Sequence, residues 1–295
     1  MKRSIAVGAS LAVALLLGSA APAPSLAPSL TKVHLTKTSA WSTASPDPTG
    51  LTYVERVDSL YISDSEIDES NRLWKGSNLF EAARRGALKH ARTLVPNKEP
   101  EDVAWDAAAR VLYVTDDDED KIFRYLPGRD RSIGTADDKA KRIFDTHRVG
   151  SRDPEGLAYQ ASDRSLWISD GTGSRVLHVK RGPDGRFNTA DDLVTRFGTL
   201  SLGLRDPEGI EYDPGTGHLF LVSSNDKIIA ETTPGGALVR TYDLSFAGVV
   251  SPSAITLAPG SADPSQTHIF VTDRGVDNGV HLHENDGRLF EFAIS

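Results

Sequence analysis

Cysteine is absent from this chain of 295 residues, and methionine occurs only once. Without cysteine the protein has no disulfide bond and no thiol for the lipid anchor of a bacterial lipoprotein. The fold must therefore be stabilised in another way. Hydrophobic residues make up 39% of the chain, which is adequate for a packed core in one large domain or two small ones.

Apolar runs long enough to cross a membrane are also absent. The longest, Ile5–Gly18, has about 14 apolar or small residues, whereas a spanning helix needs about 20. It follows Lys2 and Arg3 and precedes small residues, which is the pattern of a secretory signal peptide. We expect a signal peptide at residues 1–20, a linker rich in proline, serine and alanine at 21–29, and a single domain at 30–295. The mature protein is then secreted, without a membrane span.

Basic residues do not cluster along the chain, whose formal net charge is −8. Nucleic acids and anionic membranes are therefore poor candidate partners. The G-x-S-x-G and H-E-x-x-H motifs are absent as well, so serine-esterase and zincin chemistry have no support. Carboxylates, in contrast, are concentrated in short stretches between apolar runs. These stretches are either solvated loops or cation sites.

The clearest pattern in the sequence is a short repeat. The stretch RDPEGLAY (Arg152–Tyr159) returns as RDPEGIEY (Arg205–Tyr212). Together with three weaker copies, the repeat occurs five times. Its prolines are 52, 54, 53 and 45 residues apart, at Pro48, Pro100, Pro154, Pro207 and Pro252. Each is followed by a second run of aromatic and β-branched residues, then by a third and usually a fourth. This pattern predicts an all-β fold, a β-propeller with five four-stranded antiparallel blades. The alternative is six blades, one of which has diverged beyond recognition.

The two ends of the chain are predicted to share the last blade. The fifth unit stops at its third strand, RLFEFAIS, and so lacks a fourth. An unassigned strand, Leu30–Thr38, precedes the first repeat as the other fourth strands precede theirs. We expect it to complete the last blade. This closure removes an open sheet edge and takes the place of a disulfide in fastening the ring.

The pattern P-E-G-L-A-Y-x6-L-W-I-S-D, from Pro154 to Asp170, resembles the repeats of NHL-type propellers and the blades of the gluconolactonase-like (SMP-30) and SdiA-regulated families. The resemblance covers nearly all of the expected mature chain. It implies the architecture but not the activity, because those relatives include calcium-dependent lactonases, phytase-like and esterase-like enzymes, and binding scaffolds. In the lactonases an axial divalent ion polarises the lactone carbonyl, and an Asp or a bound water transfers protons. The resemblance implies similar roles for the first-strand Glu and second-strand Asp residues here.

The direction of the strands in each blade predicts that the first-strand Glu and second-strand Asp residues lie on one face of the ring. The first strand leaves the DPEG turn and the second strand returns, so both ends meet at the same face. That face is predicted to collect Glu101, Glu155 and Glu208 from the turns, and Asp64, Asp116, Asp170 and Asp273 from the second strands. Converging carboxylates favour an axial Ca²⁺ or Mg²⁺. The alternative is that each Asp accepts backbone N–H bonds in a turn and each Glu is solvated.

Two further acidic loops lie between third and fourth strands. Pro127–Asp138 and Gly182–Asp192 both end in a TADD sequence, and their carboxylates are Asp130, Asp137, Asp138, Asp184, Asp191 and Asp192. Oxygen donors spaced around a glycine turn are typical of calcium loops. We predict structural calcium here, with an acidic hairpin tip as the alternative. The sequence HLHEND, which contains His281 and His283, has the donors of a zinc site but is better explained as a solvated loop.

Three functions remain open from the sequence. The first is a secreted, calcium-stabilised β-propeller, expected to be monomeric, whose acidic axial face binds a small molecule or a protein. The second is a metal-dependent hydrolase of the lactonase, esterase or phytase-like type that uses the axial carboxylates. The third is a scaffold that docks a protein through the long second-strand loops of blades 1 and 5.

Overall fold

Twenty β-strands form five four-stranded antiparallel sheets in the computed structural model, which describes residues 29–295. The sheets follow one another around a ring, so the fold is a five-bladed β-propeller, as the repeat predicts. Within residues 29–295 there is no sixth blade and no α-helix. The expected signal peptide and all but the last residue of the expected linker lie outside the described residues. No helix in the described part of the chain has the length and apolar character needed to cross a membrane.

Each blade runs from an inner strand at the axis to an outer strand at the rim. Blade 1 contains β2 (Pro48–Val54), β3 (Ser59–Asp64), β4 (Leu79–Ala82) and β5 (Leu88–Arg92). Blade 2 contains β6 (Val103–Asp106), β7 (Val111–Asp116), β8 (Lys121–Leu126) and β9 (Lys139–Asp145). Blade 3 contains β10 (Pro154–Gln160), β11 (Ser165–Asp170), β12 (Arg175–Lys180) and β13 (Leu193–Gly198). Blade 4 contains β14 (Pro207–Tyr212), β15 (Leu219–Ser223), β16 (Ile228–Thr232) and β17 (Leu238–Asp243). Blade 5 contains β18 (Pro252–Pro259), β19 (Thr267–Asp273), β20 (Arg288–Ile294) and β1 (Leu30–Lys37).

Six short 3₁₀ helices connect the strands. They are Thr38–Ala40, Glu55–Val57, Ile67–Glu69, Thr146–Val149, Leu200–Leu202 and Ser245–Ala247. Four of them, at Thr146, Leu200, Ser245 and Thr38, occupy the same place in blades 2, 3, 4 and 5, between the outer strand and the next inner strand. They therefore mark the steps from one blade to the next.

The chain ends close the ring as expected. Strand β1 pairs antiparallel with β20 from Leu30 opposite Ile294 to Lys37 opposite Arg288, with one irregularity at Val33. Beyond this ladder, the backbone N–H groups of Ser29 and Ser295 donate to each other's carbonyl oxygens, at 3.2 and 3.0 Å. The N-terminal segment is thus the outer strand of the last blade, and β20 is not left as an open edge.

The core lies between the blades. Second strands such as β3, β7 and β11 are buried along their full length, whereas the outer strand β13 is mostly exposed. The buried side chains form five clusters, and each cluster joins neighbouring blades. In one of them Trp167 of blade 3 packs with Ile210 and Leu221 of blade 4. Strands buried on both faces explain why the second runs are almost continuously apolar.

Glycine in the DPEG repeat lets neighbouring inner strands approach closely. A Cβ atom on Gly156 would lie 2.3 Å from the carbonyl oxygen of Glu208 and 2.9 Å from the Cα of Gly209. A Cβ on Gly209 would lie 2.5 Å from the Cα of Ala254 in the next blade. Any side chain at these positions would push the blades apart at the axis.

Strand register places the DPEG turns and the second-strand exits on one face, here called the axial face. Pro154 is paired with Asp170, Pro48 with Asp64 and Pro252 with Asp273 across the first two strands of their blades. The start of the inner strand and the end of the second strand therefore lie side by side. This is the arrangement that the course of the chain predicts.

Candidate functional site

Three glutamates from adjacent blades meet on the axial face. Glu101 lies just before β6, Glu155 is in β10 and Glu208 is in β14. Each offers a carboxylate oxygen that lies within 4.8 Å of those of the other two. Glu101 and Glu208 are buried, and Glu155 is half-buried. These three residues form what we call the axial cluster.

The blade contacts fix the backbone that carries this cluster. The hydroxyl of Ser63 donates to the carbonyl oxygen of Glu101 at 3.1 Å, and the Thr115 hydroxyl donates to that of Glu155 at 3.3 Å. Ser169 makes the same bond to Glu208. Each donor is the residue before the last position of a second strand and bonds to the following blade. The glutamates are therefore held by bonds that cross the blade boundaries.

One arginine reaches into the cluster from blade 5. Arg274 follows β19, and its Nη2 lies 2.8 Å from Oε2 of Glu208, with only 14% of its side chain exposed. The other blades have Ser65, Asp117, Gly171 and Ser224 at the equivalent position. Arg274 was not among the residues predicted from the sequence. The signal in the sequence is its position one residue after the second strand, where no other blade has a basic residue.

Burial and mutual repulsion govern the charge of the axial cluster. Burial is the main cause that raises the pKa of Glu101, Glu155 and Glu208, and at Glu155 the charges of the other two raise the pKa further. Arg274 opposes the increase at all three. One arginine compensates one of three negative charges. The other two require two protons or a divalent cation.

Two more glutamates extend the acidic region of the axial face. Burial raises the pKa of Glu66 to about 7 and that of Glu99 to about 9, and neighbouring carboxylates add to both increases. Neither was among the predicted site residues. Glu99 occupies the Asp position of the DPEG repeat in blade 2, which is a signal in the sequence. Glu66 lies in the long loop after β3 and has no counterpart that could have identified it.

The four predicted aspartates lie at the ends of second strands but make other contacts. Asp64 accepts hydrogen bonds from the Ser45 hydroxyl at 2.7 Å and the Asp47 N–H at 3.1 Å. Asp116 accepts the Glu119 N–H at 2.8 Å. The remaining two form salt bridges, Asp170 with Arg175 at 2.7 Å and Asp273 with Arg288 at 2.6 Å. All four stabilise turns or strand ends here, and their proposed part in metal binding stays a prediction.

The first acidic loop gathers its carboxylates, and the second does so less closely. Oxygens of Asp130, Asp137 and Asp138 lie within 4.8 Å of one another. In the same loop Asp138 accepts the Gly134 N–H and Asp137 the Arg129 N–H, both at 2.6 Å. In the second loop Asp184, Asp191 and Asp192 form no such group within residues 29–295, although Asp192 accepts the Asn188 N–H at 2.7 Å. Calcium at either loop remains a prediction.

The histidines of HLHEND lie at the surface. His281 and His283 are exposed, and the N–H of His281 donates to the backbone oxygen of Asp277 at 2.9 Å. Asp286 accepts the Val276 N–H at 3.1 Å. These residues are not among the groups of potential metal ligands found in the described part of the chain.

Fold and axial cluster together define a five-bladed β-propeller with an acidic axial face. The chain belongs to the SdiA-regulated family, whose model matches residues 28–271. A search of curated proteins found no match.

Solved structures share the fold at low sequence identity. A glutaminyl cyclase from Myxococcus xanthus is similar with a TM-score of 0.57 and 18% identity, over 91% of this chain and 97% of that one. A luciferin-regenerating enzyme is similar with a TM-score of 0.53 and 13% identity, over 90% of this chain and 95% of that one. A protein from Agrobacterium tumefaciens, described as the calcium-binding protein regucalcin, has a TM-score of 0.51 and 14% identity, over 84% of this chain and 90% of that one. At these identities the similarity establishes the fold and not a shared activity.

Proposed function

We propose that the protein is an exported ligand-binding β-propeller that holds a divalent cation, with calcium favoured, at Glu101, Glu155 and Glu208. The observation that carries this proposal is the charge balance of the axial cluster. Three carboxylates within 4.8 Å of one another face a single arginine. A divalent cation compensates the remaining two charges without protonating any carboxylate.

The donor set suits a hard cation. Calcium takes six to eight oxygen ligands, and three carboxylates provide between three and six of them. The buried Ser65 hydroxyl has no hydrogen-bond partner in the described part of the chain, and the Ser224 hydroxyl donates to Asp206 at 3.4 Å, so further oxygens lie beside Glu101 and Glu208. Positions left open on the cation would accept an oxygen from a ligand, with Arg274 placed to favour an anionic one. The calcium-binding protein from Agrobacterium tumefaciens supports this proposal only through its fold.

A structural calcium in the Asp130, Asp137 and Asp138 loop is the second part of the proposal. The grouping of its three carboxylates supports it. Asp137 and Asp138 also accept hydrogen bonds from backbone N–H groups of the same loop, which favours the alternative, an acidic turn that is stable without a cation.

A metal-dependent hydrolase is the second candidate function. The three converging carboxylates favour it, because a cation that they hold keeps open positions for an oxygen of the substrate. A bound divalent cation would polarise the substrate carbonyl. Lactones and esters are the corresponding substrate classes.

Isothermal titration with calcium tests the axial site. The variant Glu101→Gln/Glu155→Gln removes two carboxylates but leaves the Glu208–Arg274 ion pair intact. The matched control, Asp130→Asn/Asp137→Asn/Asp138→Asn, alters the loop on the other face. We expect the axial variant to lose one calcium site that the control retains. Equal stoichiometry and affinity in the axial variant and the parent would rule the axial cation out.

Turnover of lactones and esters separates the two functions. If the protein is a hydrolase, the axial variant has no activity, and the parent loses its activity when calcium is chelated. Restoring calcium then restores activity in the parent but not in the axial variant. A binding propeller that holds calcium without turnover excludes the hydrolase and leaves the axial site unaffected.

A further inference from the structure

A cleft of about 550 Å³ lies between blades 2 and 3. Its walls come from β7, β8 and β9 of blade 2 and from the loop between β12 and β13 of blade 3. Because each blade is an antiparallel meander, that loop lies at the strand ends opposite to the axial face. The cleft is therefore separate from the axial cluster.

The charged side chains that line the cleft are all positive: Arg124, Lys141, Arg142, Arg181 and Arg186. The cleft has no Asp or Glu in its lining, although the whole chain has a net charge of −8. Of these five residues only Arg142 forms a salt bridge, with Glu119, within residues 29–295. Four positive charges thus share one cleft without a carboxylate counter-ion. We call it the arginine cleft.

Arg181 is held in position within the cleft, and both it and Arg124 have a buried N–H group without a partner. The guanidinium of Arg181 lies 4.4 Å from the ring centroid of Phe187, and its Nη2 donates to the Tyr113 hydroxyl at 3.3 Å. The Nε atoms of Arg124 and Arg181 are buried, and neither has a hydrogen-bond partner in the described part of the chain. A buried donor without a partner is costly, and these Nε atoms are out of a ligand's reach. Both side chains line the cleft, so their other guanidinium N–H groups can donate to a ligand there.

An adjoining cavity of about 450 Å³ continues the cleft between the same blades and shares three residues with it, Tyr113, Arg124 and Arg181. Most of its other walls are small or apolar, and they include one further arginine, the exposed Arg164. It contains one carboxylate, Asp106, which accepts the Ala109 N–H at 3.0 Å and raises the pKa of the nearby Tyr159 hydroxyl. A negative charge at this end disfavours a second anionic group there. The two cavities therefore fit a ligand with one strongly anionic end and an uncharged body.

We propose that the arginine cleft binds a small molecule that carries a phosphate ester. A phosphate monoester has a charge of about −1.5 to −2 and three acceptor oxygens, which suits several guanidinium groups better than one carboxylate does. Arginine recognises such groups through paired N–H donors. The uncharged body of the ligand occupies the adjoining cavity, where Asp106 accepts its hydroxyl hydrogens.

Isothermal titration with glucose 6-phosphate, glucose, inorganic phosphate and citrate tests this proposal. We expect one site for glucose 6-phosphate, weaker binding of inorganic phosphate and citrate, and no binding of glucose. Raising the salt concentration from about 0.05 to 0.3 M should weaken the binding, because the attraction is ionic. The variant Arg124→Gln/Arg181→Gln should lower affinity about 100-fold and Arg186→Gln about 10-fold, since charged hydrogen bonds are lost.

The control is Arg196→Gln, which removes an exposed arginine of β13 that does not line the cleft. It should bind as the parent does. Arg186 is exposed, so its variant tests the cleft even if the double variant fails to fold. Absence of phosphate-ester binding, or equal affinity in Arg186→Gln and Arg196→Gln, would overturn the proposal. Tighter binding of citrate than of glucose 6-phosphate would overturn the assignment to phosphate esters.

Discussion

Gly156 stands where the inner strands of blades 3 and 4 come closest. An added methyl group would meet the backbone of Glu208 and Gly209 at 2.3 and 2.9 Å, and backbone atoms cannot move aside as a flexible side chain can. We expect Gly156→Ala to lower the free energy of unfolding by about 2–3 kcal/mol, the cost of overpacking a tight site. Chemical denaturation measures the change.

Gly198→Ala is the matched control for this substitution. Its Cβ would meet only the Ser174 carbonyl oxygen, at an ordinary 3.9 Å, and the glycine lies in the outer strand of the same blade. It should be close to neutral. Equal stability of the two variants would mean that the repeat glycine is not required for the approach of the blades.

Glu211 gives the protein a pH dependence that is separate from the axial cluster. Burial raises the pKa of this glutamate to about 7, while it accepts the Thr256 hydroxyl at 2.6 Å and the Tyr212 N–H at 3.0 Å. The folded state therefore binds more protons than the unfolded state between about pH 4.5 and 7. The contribution of Glu211 to stability is greatest below this window, falls as the pH rises through it, and is constant above it.

Replacing Glu211 with Gln should remove this part of the pH dependence. Because the side chain is not completely buried, we expect a change of about 1–3 kcal/mol between pH 4.5 and 8 in the parent relative to the variant. Denaturation at several pH values measures it. The exposed Glu55, changed to Gln, is the control and should follow the parent. A Glu211→Gln variant with the parent's pH profile would contradict the raised pKa.

At the scale of elements, β1 is the strand on which closure of the ring depends. Without it, β20 would present an unpaired edge, and two of its side chains, Phe290 and Phe292, belong to the core. We expect a protein that starts at Ser45 to lose several kcal/mol of stability, since a full strand ladder is removed. Thermal melting compares it with a protein that starts at Ser29, which keeps the strand. Equal melting temperatures would show that β1 does not fasten the ring.

The elements were predictable because their signals are local or topological. Alternation of short apolar runs with turns gave the blades, and the direction of each strand gave the face on which the glutamates lie. Arg274 escaped prediction because its role depends on the equivalent positions of the other blades, which differ in residue type. The arginine cleft escaped because its residues lie far apart along the chain, between Arg124 and Arg186, and converge only when two blades pack together.

At the scale of the whole molecule, two sites of opposite charge lie at opposite ends of the strands. The axial face has the three glutamates with Glu66 and Glu99, whereas the arginine cleft lies between blades near the opposite strand ends. A net charge of −8 conceals this division. The two sites therefore favour ligands of opposite charge, a cation at the axis and an anion between the blades.

Repulsion within the axial cluster should make the cation-free protein less stable than it would be without these charges. Glu101→Gln/Glu155→Gln keeps the shape of the site and the Glu208–Arg274 ion pair. With calcium removed by a chelator, we expect this variant to melt at the parent's temperature or above it at pH 8. At pH 5 the difference should shrink, because carboxyls of raised pKa are then protonated in the parent as well.

Adding calcium should reverse the order of stability at pH 8. An ion that binds only the folded state stabilises it by RT ln(1 + [L]/Kd), so the parent gains about 2.7 kcal/mol at a calcium concentration 100 times Kd, and the axial variant gains less. Melting curves of both proteins, with chelator and with calcium, measure the two effects together.

The loop variant Asp130→Asn/Asp137→Asn/Asp138→Asn is the control. It should melt below the parent even with chelator, because Asp137 and Asp138 accept backbone N–H bonds that their amides satisfy less well. An axial variant that is less stable than the parent in chelator at pH 8 would contradict the charge repulsion on which the axial cation rests.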